Sequence, residues 1–134
     1  MIIVNKQGQD IMGGGDKRIA FAVNTEGHND AGFAGMISAR FWPELACIGA
    51  CQLGTVLSKT TDSGLVLYAL VCHSLKNGWI DQAETIKKCF DSIDTDEPIA
   101  SISIGTGLIG MLSGADFEQI KRGMELSNKK IILY

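Results

Sequence analysis

Two glycine-rich stretches of the sequence have the composition of anion-binding loops. The first, NTEGHNDAGFAG, covers residues 24–35, and the second, SIGTGLIGML, covers residues 103–112. Because glycine has no side chain, the backbone N–H groups of such loops can converge on a phosphate, and the start of a following helix adds partial positive charge without any lysine. The two stretches predict a phosphate site built from backbone groups. Each is also compatible with an ordinary tight turn.

Neither stretch contains a common nucleotide-binding motif. The sequence has no G-x-x-x-x-G-K-S/T, and no complete G-x-G-x-x-G stands at the first strand-to-helix turn. These absences argue against a P-loop NTPase and against a simple dinucleotide-binding fold.

The charge of the chain limits its partners. The formal net charge is −3 and the isoelectric point is near 5.3. A non-specific nucleic-acid binder needs a basic face to release phosphate counterions, and this composition does not favour one. We therefore expect no direct nucleic-acid binding.

The four cysteines do not have the spacing of a metal site or of a disulfide framework. Cys47 and Cys51 are separated by three residues rather than two, Cys72 lies in an apolar run, and Cys89 lies in a helical pattern. We expect buried free thiols, no metal and no cofactor.

The start of the chain does not resemble a secretory signal. MIIVNKQGQDI turns polar after four apolar residues, and no window approaches 18 consecutive apolar residues. The sequence predicts a cytoplasmic protein that does not enter a membrane.

Strand and helix patterns alternate along the whole chain. Apolar runs predict strands at residues 1–4, 18–24, 54–60, 64–72, 98–104 and 130–134. The segment TDSG at 61–64 predicts a tight turn between two antiparallel strands. Helices are predicted after Asp30, after Asp81 with Glu84 in a capping box, and after Ser113 with Asp116.

This alternation predicts the fold class. Strands that alternate with helices favour an α/β protein, here a three-layer α/β/α sandwich with a mixed central sheet, formed by residues 1–134 as a single domain. Residues 18–24 and 98–104 are apolar and small enough to be covered on both faces, so we expect them to be neighbouring central strands. Each would deliver one glycine-rich stretch to a shared crevice.

The order of several segments resembles the macro domain family. GQDI at 8–11 is followed by VNTEGHNDAGFA at 23–34, LGTV at 53–56, LVLYALV at 65–71, IGTGL at 104–108 and a closing KIILY. The likeness covers nearly the whole chain and is strongest to the small macro domains of the ADP-ribosyl-glutamate hydrolase and ADP-ribose 1''-phosphate phosphatase branch. The resemblance implies a cleft for ADP-ribose or for ADP-ribosylated protein.

Carried over by position, the resemblance implies a set of ligand-binding residues. Asp10 would accept a hydrogen bond from the adenine amino group beside Ile11, although Gln9 is inserted relative to the usual Gly-Asp pair. Asn24 would lie beside the distal ribose, where an amide can both donate and accept. The diphosphate would lie between two segments, the first formed by Ala31, Gly32, Phe33 and Ala34 and the second by Gly105, Thr106, Gly107, Leu108 and Ile109. The aromatic ring of Tyr134, at the end of the last strand, would lie against the ligand.

The catalytic groups of that branch are not at the matching positions. The resembled hydrolases use a lysine near the place of His73 and an aspartate at the place of Ile109, and other deacylating relatives use an aspartate in the first stretch, where Ala34 stands here. His28 and Asp30 are the remaining candidates for acid–base catalysis, with Glu26 in the same loop. An exposed histidine without a role and an aspartate that caps the next helix also explain these two residues.

Three functions therefore stay open. The chain is a module that binds ADP-ribose without turnover, or a hydrolase that removes ADP-ribose from modified protein or phosphate from ADP-ribose 1''-phosphate with a rearranged site. In a third reading, Phe33 and Ile109 make the cleft apolar enough for a different ligand. We expect a monomer or a weak dimer.

Overall fold

The central feature of the computed structural model, which covers residues 1–134, is one six-stranded sheet with the order β1-β6-β5-β2-β4-β3. All neighbouring strands are parallel except β3, which is antiparallel to β4, so the sheet is mixed. The elements are β1 (Ile2–Asn5), β2 (Arg18–Asn24), α1 (Gly32–Arg40), β3 (Val56–Thr60), β4 (Val66–His73), α2 (Gln82–Asp91), β5 (Ile99–Ser101), α3 (Leu108–Leu112), α4 (Phe117–Leu126) and β6 (Ile131–Leu133).

Helices cover both faces of the sheet and bury two separate apolar clusters. On one face, α2 and α4 contribute fully buried side chains that include Phe90 and Met124. On the other face, α1 contributes Ile37 and a 3-10 turn at Pro43–Ala46 contributes Leu45. This arrangement confirms the predicted three-layer α/β/α sandwich.

The predicted central pair of strands is confirmed. β2 pairs with β5 in parallel, with Ile19 opposite Ala100 and Ala20 opposite Ser101. β5 is shorter than predicted, because the ladder ends at Ser101 and the chain continues toward Gly105 as a loop. Alternate residues of these strands face the two apolar clusters, which explains why the runs are apolar on both faces.

The predicted hairpin is also present. β3 and β4 pair antiparallel from Val56 opposite Leu70 to Thr60 opposite Val66. The turn between them is closed by hydrogen bonds between Thr61 and the backbone N–H groups of Gly64 and Leu65. β3 is therefore an edge strand that runs opposite to the other five strands of the sheet.

The predicted helix caps are corrected, and the last helix begins after Asp116 rather than at Ser113, which ends α3. Asp116 caps α4 and accepts hydrogen bonds from two backbone N–H groups of its first turn. Asp30 does not cap α1, because the cap position is occupied by Ala31. The N-terminus of α1 therefore has no side-chain capping bond. Asp81 occupies the cap position of α2 but has a left-handed backbone with φ of 47°, and its carboxylate makes no capping bond.

Two further expectations are corrected. The four thiols are free, but Cys47 is exposed and only Cys72 and Cys89 are buried. The second glycine-rich stretch also contains a short helix, α3, that the sequence did not predict. No helix of the structure is long and apolar enough to span a membrane.

Candidate functional site

The carboxyl ends of the parallel strands form one edge of the sheet, and the chain leaves β2 and β5 there in opposite directions. From β2, the first loop (residues 25–31) leads to α1 on one face. From β5, the second loop (residues 102–107) leads through α3 to α4 on the other face. A crevice opens at such a switch point between adjacent parallel strands, and ligands of open α/β sheets bind there.

The side chain of Asn24 holds the first loop in a closed turn. Its Nδ2 donates to the carbonyl oxygen of His28 at 2.7 Å, and its Oδ1 accepts from the His28 N–H at 3.1 Å. Asn24 is only 5% exposed. The amide therefore shapes the loop, with one Nδ2 hydrogen left for another acceptor.

The outer side of the first loop packs against residues 45–51. Asn29 is buried, and its Nδ2 donates to the carbonyl oxygen of Leu45 at 3.1 Å. Gly27 has φ of +74°, and a Cβ atom there would overlap the carbonyl of Gly49. A glycine is thus required at residue 27 by both conformation and space.

A row of backbone donors follows at the start of α1. None of the N–H groups of residues 30–34 donates to an acceptor within the protein. Ala31 and Gly32 are exposed, whereas Ala34 is buried. The Phe33 ring is partly buried and packs against the core residue Phe21, with 5.8 Å between ring centroids.

The second loop carries a matching row of donors. The N–H groups of residues 107–110 donate to no protein acceptor. The loop is held by Thr106, whose hydroxyl donates to the carbonyl of Ser103 at 2.6 Å. Gly105 has φ of +81°, and a Cβ atom on Gly110 would lie 2.6 Å from the Gly105 carbonyl oxygen. These glycines allow the loop to fold tightly under α3.

The side chains of α3 point away from the core. Leu108 is 70% exposed and Ile109 is 52% exposed. A Cβ atom on Gly107 would meet no atom within 4 Å, so the space beside this residue is open. Unused backbone donors and exposed apolar side chains therefore occur together at the start of α3.

The residues assigned to adenine lie at the far end of the same edge. Asp10 is exposed and uses Oδ1 to accept from the N–H of Met12 at 3.0 Å, while Ile11 is buried. Tyr134 is only 5% exposed, and its hydroxyl donates to Asp16 at 2.6 Å. The Lys6 ammonium lies 5.5 Å from the Tyr134 ring centroid. The tyrosine therefore fastens the loop after β1 to the sheet.

Tyr134→Phe is expected to destabilise the fold by about 1–2 kcal/mol at pH 7, because Asp16 loses its donor. The hydrogen bond to Asp16 raises the pKa of Tyr134 to about 12. An unfolded tyrosine ionises near pH 10, so the unfolded state binds fewer protons than the folded state between pH 10 and 12. Stability from this group is present below pH 10 and is lost as the pH rises to 12.

Urea unfolding of wild type and Tyr134→Phe at pH 7, 10 and 11.5 measures this effect, since the two proteins differ only at residue 134. The difference in unfolding free energy between the two should shrink toward high pH. A difference that stays constant from pH 7 to 11.5 would contradict the assigned hydrogen bond.

The candidate acid–base residues do not form a pair. His28 and Asp30 are both exposed, and no hydrogen bond joins their side chains. The His73 ring stacks flat on Trp79, with 4.5 Å between centroids and 8° between planes. Burial lowers the pKa of His73, so its imidazole is neutral at pH 7.

Sequence reasoning missed the role of two side chains, Glu26 and Trp79, that connect the loops of this edge. Glu26 accepts hydrogen bonds from Ser74 and from the N–H of Leu75, and these bonds lower its pKa to about 2. Trp79 donates from Nε1 to the Ser113 hydroxyl at 2.9 Å. Their only sequence signal is the presence of polar and aromatic residues just after predicted strands.

Two surface depressions lie elsewhere. One, of about 350 Å³, is lined by polar residues of the opposite edge that include Asn128 and Lys130. The other, of about 560 Å³, lies along α4 beside Arg122. Both are open surface features and neither has a row of unused backbone donors. We therefore assign the candidate site to the switch point between β2 and β5.

Comparison with solved structures identifies the architecture. The macrodomain of Mycobacterium tuberculosis DarG superposes with a TM-score of 0.71 at 14% identity, covering 100% of this chain and 97% of that one. The macrodomain of Thermus aquaticus DarG gives 0.68 at 14% identity, covering 100% and 97%. The chain has the macrodomain fold.

A further macrodomain, from Oceanobacillus iheyensis and solved with ADP, superposes with a TM-score of 0.52 at 19% identity, covering 88% of this chain and 76% of that one. No protein-family model and no curated protein matches the sequence. The macrodomain fold of this chain is thus shown by its three-dimensional structure, because its sequence identity to these solved macrodomains is low.

Proposed function

We propose that this chain binds ADP-ribose, or a related nucleotide that contains it, in the crevice between the first and second loops. The observation that carries the proposal is the pair of unused donor rows, residues 30–34 and 107–110, on the two sides of a switch point in the macrodomain fold. A diphosphate is a polyanion whose oxygens accept several N–H groups at once. Two rows of backbone donors that follow neighbouring parallel strands suit such a group without any basic side chain.

The ends of the crevice fit the two ends of ADP-ribose. At the β1 and β6 end, Asp10 keeps its Oδ2 atom free of hydrogen bonds and can accept from the adenine amino group. At the other end, Asn24 keeps one Nδ2 hydrogen for a ribose hydroxyl. The ligand would be either free ADP-ribose or ADP-ribose attached to a protein.

We infer binding rather than turnover as the main function. Of the candidate residues, His28 and Asp30 are not paired, and His73 is occupied by its stack on Trp79. Ile109 cannot transfer a proton. Removal of ADP-ribose from protein, or of phosphate from ADP-ribose 1''-phosphate, is the second candidate and depends on His28 or Asp30.

Calorimetric titration with ADP-ribose, ADP and AMP tests the proposal. ADP-ribose is expected to bind with a micromolar dissociation constant, about −8 kcal/mol. ADP should bind more weakly because it lacks the distal ribose, and AMP should bind weakest because its single phosphate engages fewer donors. No detectable binding of ADP-ribose at millimolar concentration would contradict the proposed function.

A further inference from the structure

The bridging loop, residues 74–81 between β4 and α2, contacts both loops of the crevice. At its first end it is joined to the first loop by Glu26. The carboxylate Oε2 accepts from the Ser74 hydroxyl at 2.7 Å, and Oε1 accepts from the Leu75 N–H at 2.8 Å. One side chain of the first loop is thus held by two donors of the bridging loop.

At its other end the bridging loop is joined to the segment that carries the second donor row. Trp79 Nε1 donates to the Ser113 hydroxyl at 2.9 Å, and that hydroxyl donates to the carbonyl oxygen of Gly110 at 3.1 Å. The Trp79 ring also lies beside the second loop, since a Cβ atom on Gly105 would be 3.7 Å from its Cη2. The indole therefore lies beside Gly105, which precedes the donor row, and bonds to Ser113, which follows it.

The bridging loop is itself well braced between these contacts. The backbones of Ser74 and Gly78 exchange two hydrogen bonds, of 2.9 and 2.8 Å. The Ser74 hydroxyl accepts from the N–H groups of Lys76 and Asn77 while it donates to Glu26. Stacking of His73 on Trp79 fixes the indole plane. These contacts connect Glu26 to Trp79 through a single loop.

We propose that Glu26 and Trp79 are positioning residues that hold the two donor rows at the separation a diphosphate requires. This inference deepens the proposed function and rests on it. Neither side chain contacts the ligand; they act through the bridging loop. The affinity of a ligand whose diphosphate spans both donor rows depends on the distance between the rows. The affinity of AMP does not, because its single phosphate engages one row.

Glu26→Gln and Trp79→Phe test the proposal. Glutamine keeps the shape of Glu26 but offers one acceptor to two donors. Phenylalanine keeps the aromatic contact with His73 but removes the donor to Ser113. Glu44→Gln is the matched control, because Glu44 is also paired on the surface, with Lys59 at 3.7 Å, but has no hydrogen bond to the bridging loop.

The first measurement uses no ligand. In ¹⁵N NMR spectra, Glu26→Gln should shift the Trp79 indole N–H resonance and the amide resonances of residues 107–110, and Glu44→Gln should leave them in place. The second measurement is calorimetry. Each test variant should lower the affinity for ADP-ribose about tenfold and change that for AMP less than twofold.

The outcomes separate the two proposals. Wild type that fails to bind ADP-ribose contradicts the proposed function, and the NMR shifts then decide the coupling of the loops by themselves. The positioning role would be overturned if the amide resonances of residues 107–110 in Glu26→Gln stayed at their wild-type positions. It would also be overturned if a test variant lost as much affinity for AMP as for ADP-ribose. Thermal unfolding of each variant shows whether the fold is retained, and if Trp79→Phe unfolds, Glu26→Gln alone decides.

Discussion

Gly107→Val is expected to lower the affinity for ADP-ribose at least about 100-fold while the chain keeps its fold. Gly107 has φ of −70° and ψ of 168°, an extended conformation that valine adopts readily. A Cβ atom at this residue meets nothing within 4 Å, so the substitution causes no clash. The branched side chain would instead occupy the open space in front of the donor row at residues 107–110.

Calorimetry with ADP-ribose and a thermal unfolding curve measure the two halves of this expectation. Gly107→Ala is the graded control, because a single methyl group fills less of the same space and should cost less affinity than valine. Valine and alanine should leave the unfolding midpoint close to that of wild type. Wild-type affinity in Gly107→Val would mean that the second loop is an ordinary turn and not a phosphate site.

Hydrolysis of glutamate-linked ADP-ribose is expected to be about 10²- to 10⁴-fold slower than hydrolysis by a macro domain enzyme that carries both a lysine and an aspartate. That range is the usual cost of losing a general acid or base. The resemblance places Ile109 at the aspartate position, and its half-exposed side chain has no proton to transfer. At the lysine position, His73 is neutral and stacked on Trp79.

The decisive comparison is wild type against His28→Ala and Asp30→Asn. Each protein is assayed on ADP-ribosylated protein and on ADP-ribose 1''-phosphate, with ADP-ribose binding measured in parallel. Because both side chains are exposed and unpaired, neither substitution should affect folding. Fast turnover by wild type that disappears in either variant while binding persists would make the first loop catalytic and would replace the binding function proposed above.

Local sequence patterns predicted most of the architecture. Apolar runs of small and branched residues marked β2 and β5 as buried central strands, and TDSG marked the hairpin turn, because these signals depend on near neighbours in the chain. Caps were less predictable. Asp116 caps its helix, but Asp30 and Asp81 do not, because an aspartate accepts a capping bond only where the tertiary path of the chain gives it the right backbone angles.

The candidate site was predictable as a pair of loops but not as a set of side chains. The glycine pattern marked two loops that follow β2 and β5, strands whose carboxyl ends lie at one edge of the sheet, since glycine and the end of a strand are local signals. Whether a side chain stays free for a ligand depends on distant partners. Phe33 packs into the core, and Tyr134 is buried against Asp16, 118 residues away.

By itself, the sequence determined the alternation of strands and helices, the buried central strands and the glycines that leave backbone donors unused. The tertiary structure alone decided which distant residues meet at the crevice. Glu26 meets Ser74 across 48 residues, and Trp79 meets Ser113 across 34, because the parallel strands β2, β4 and β5 deliver their loops to the same edge. Hydrogen bonds of this kind act over about 3 Å and leave no periodic trace in the sequence, so only the folded chain reveals them.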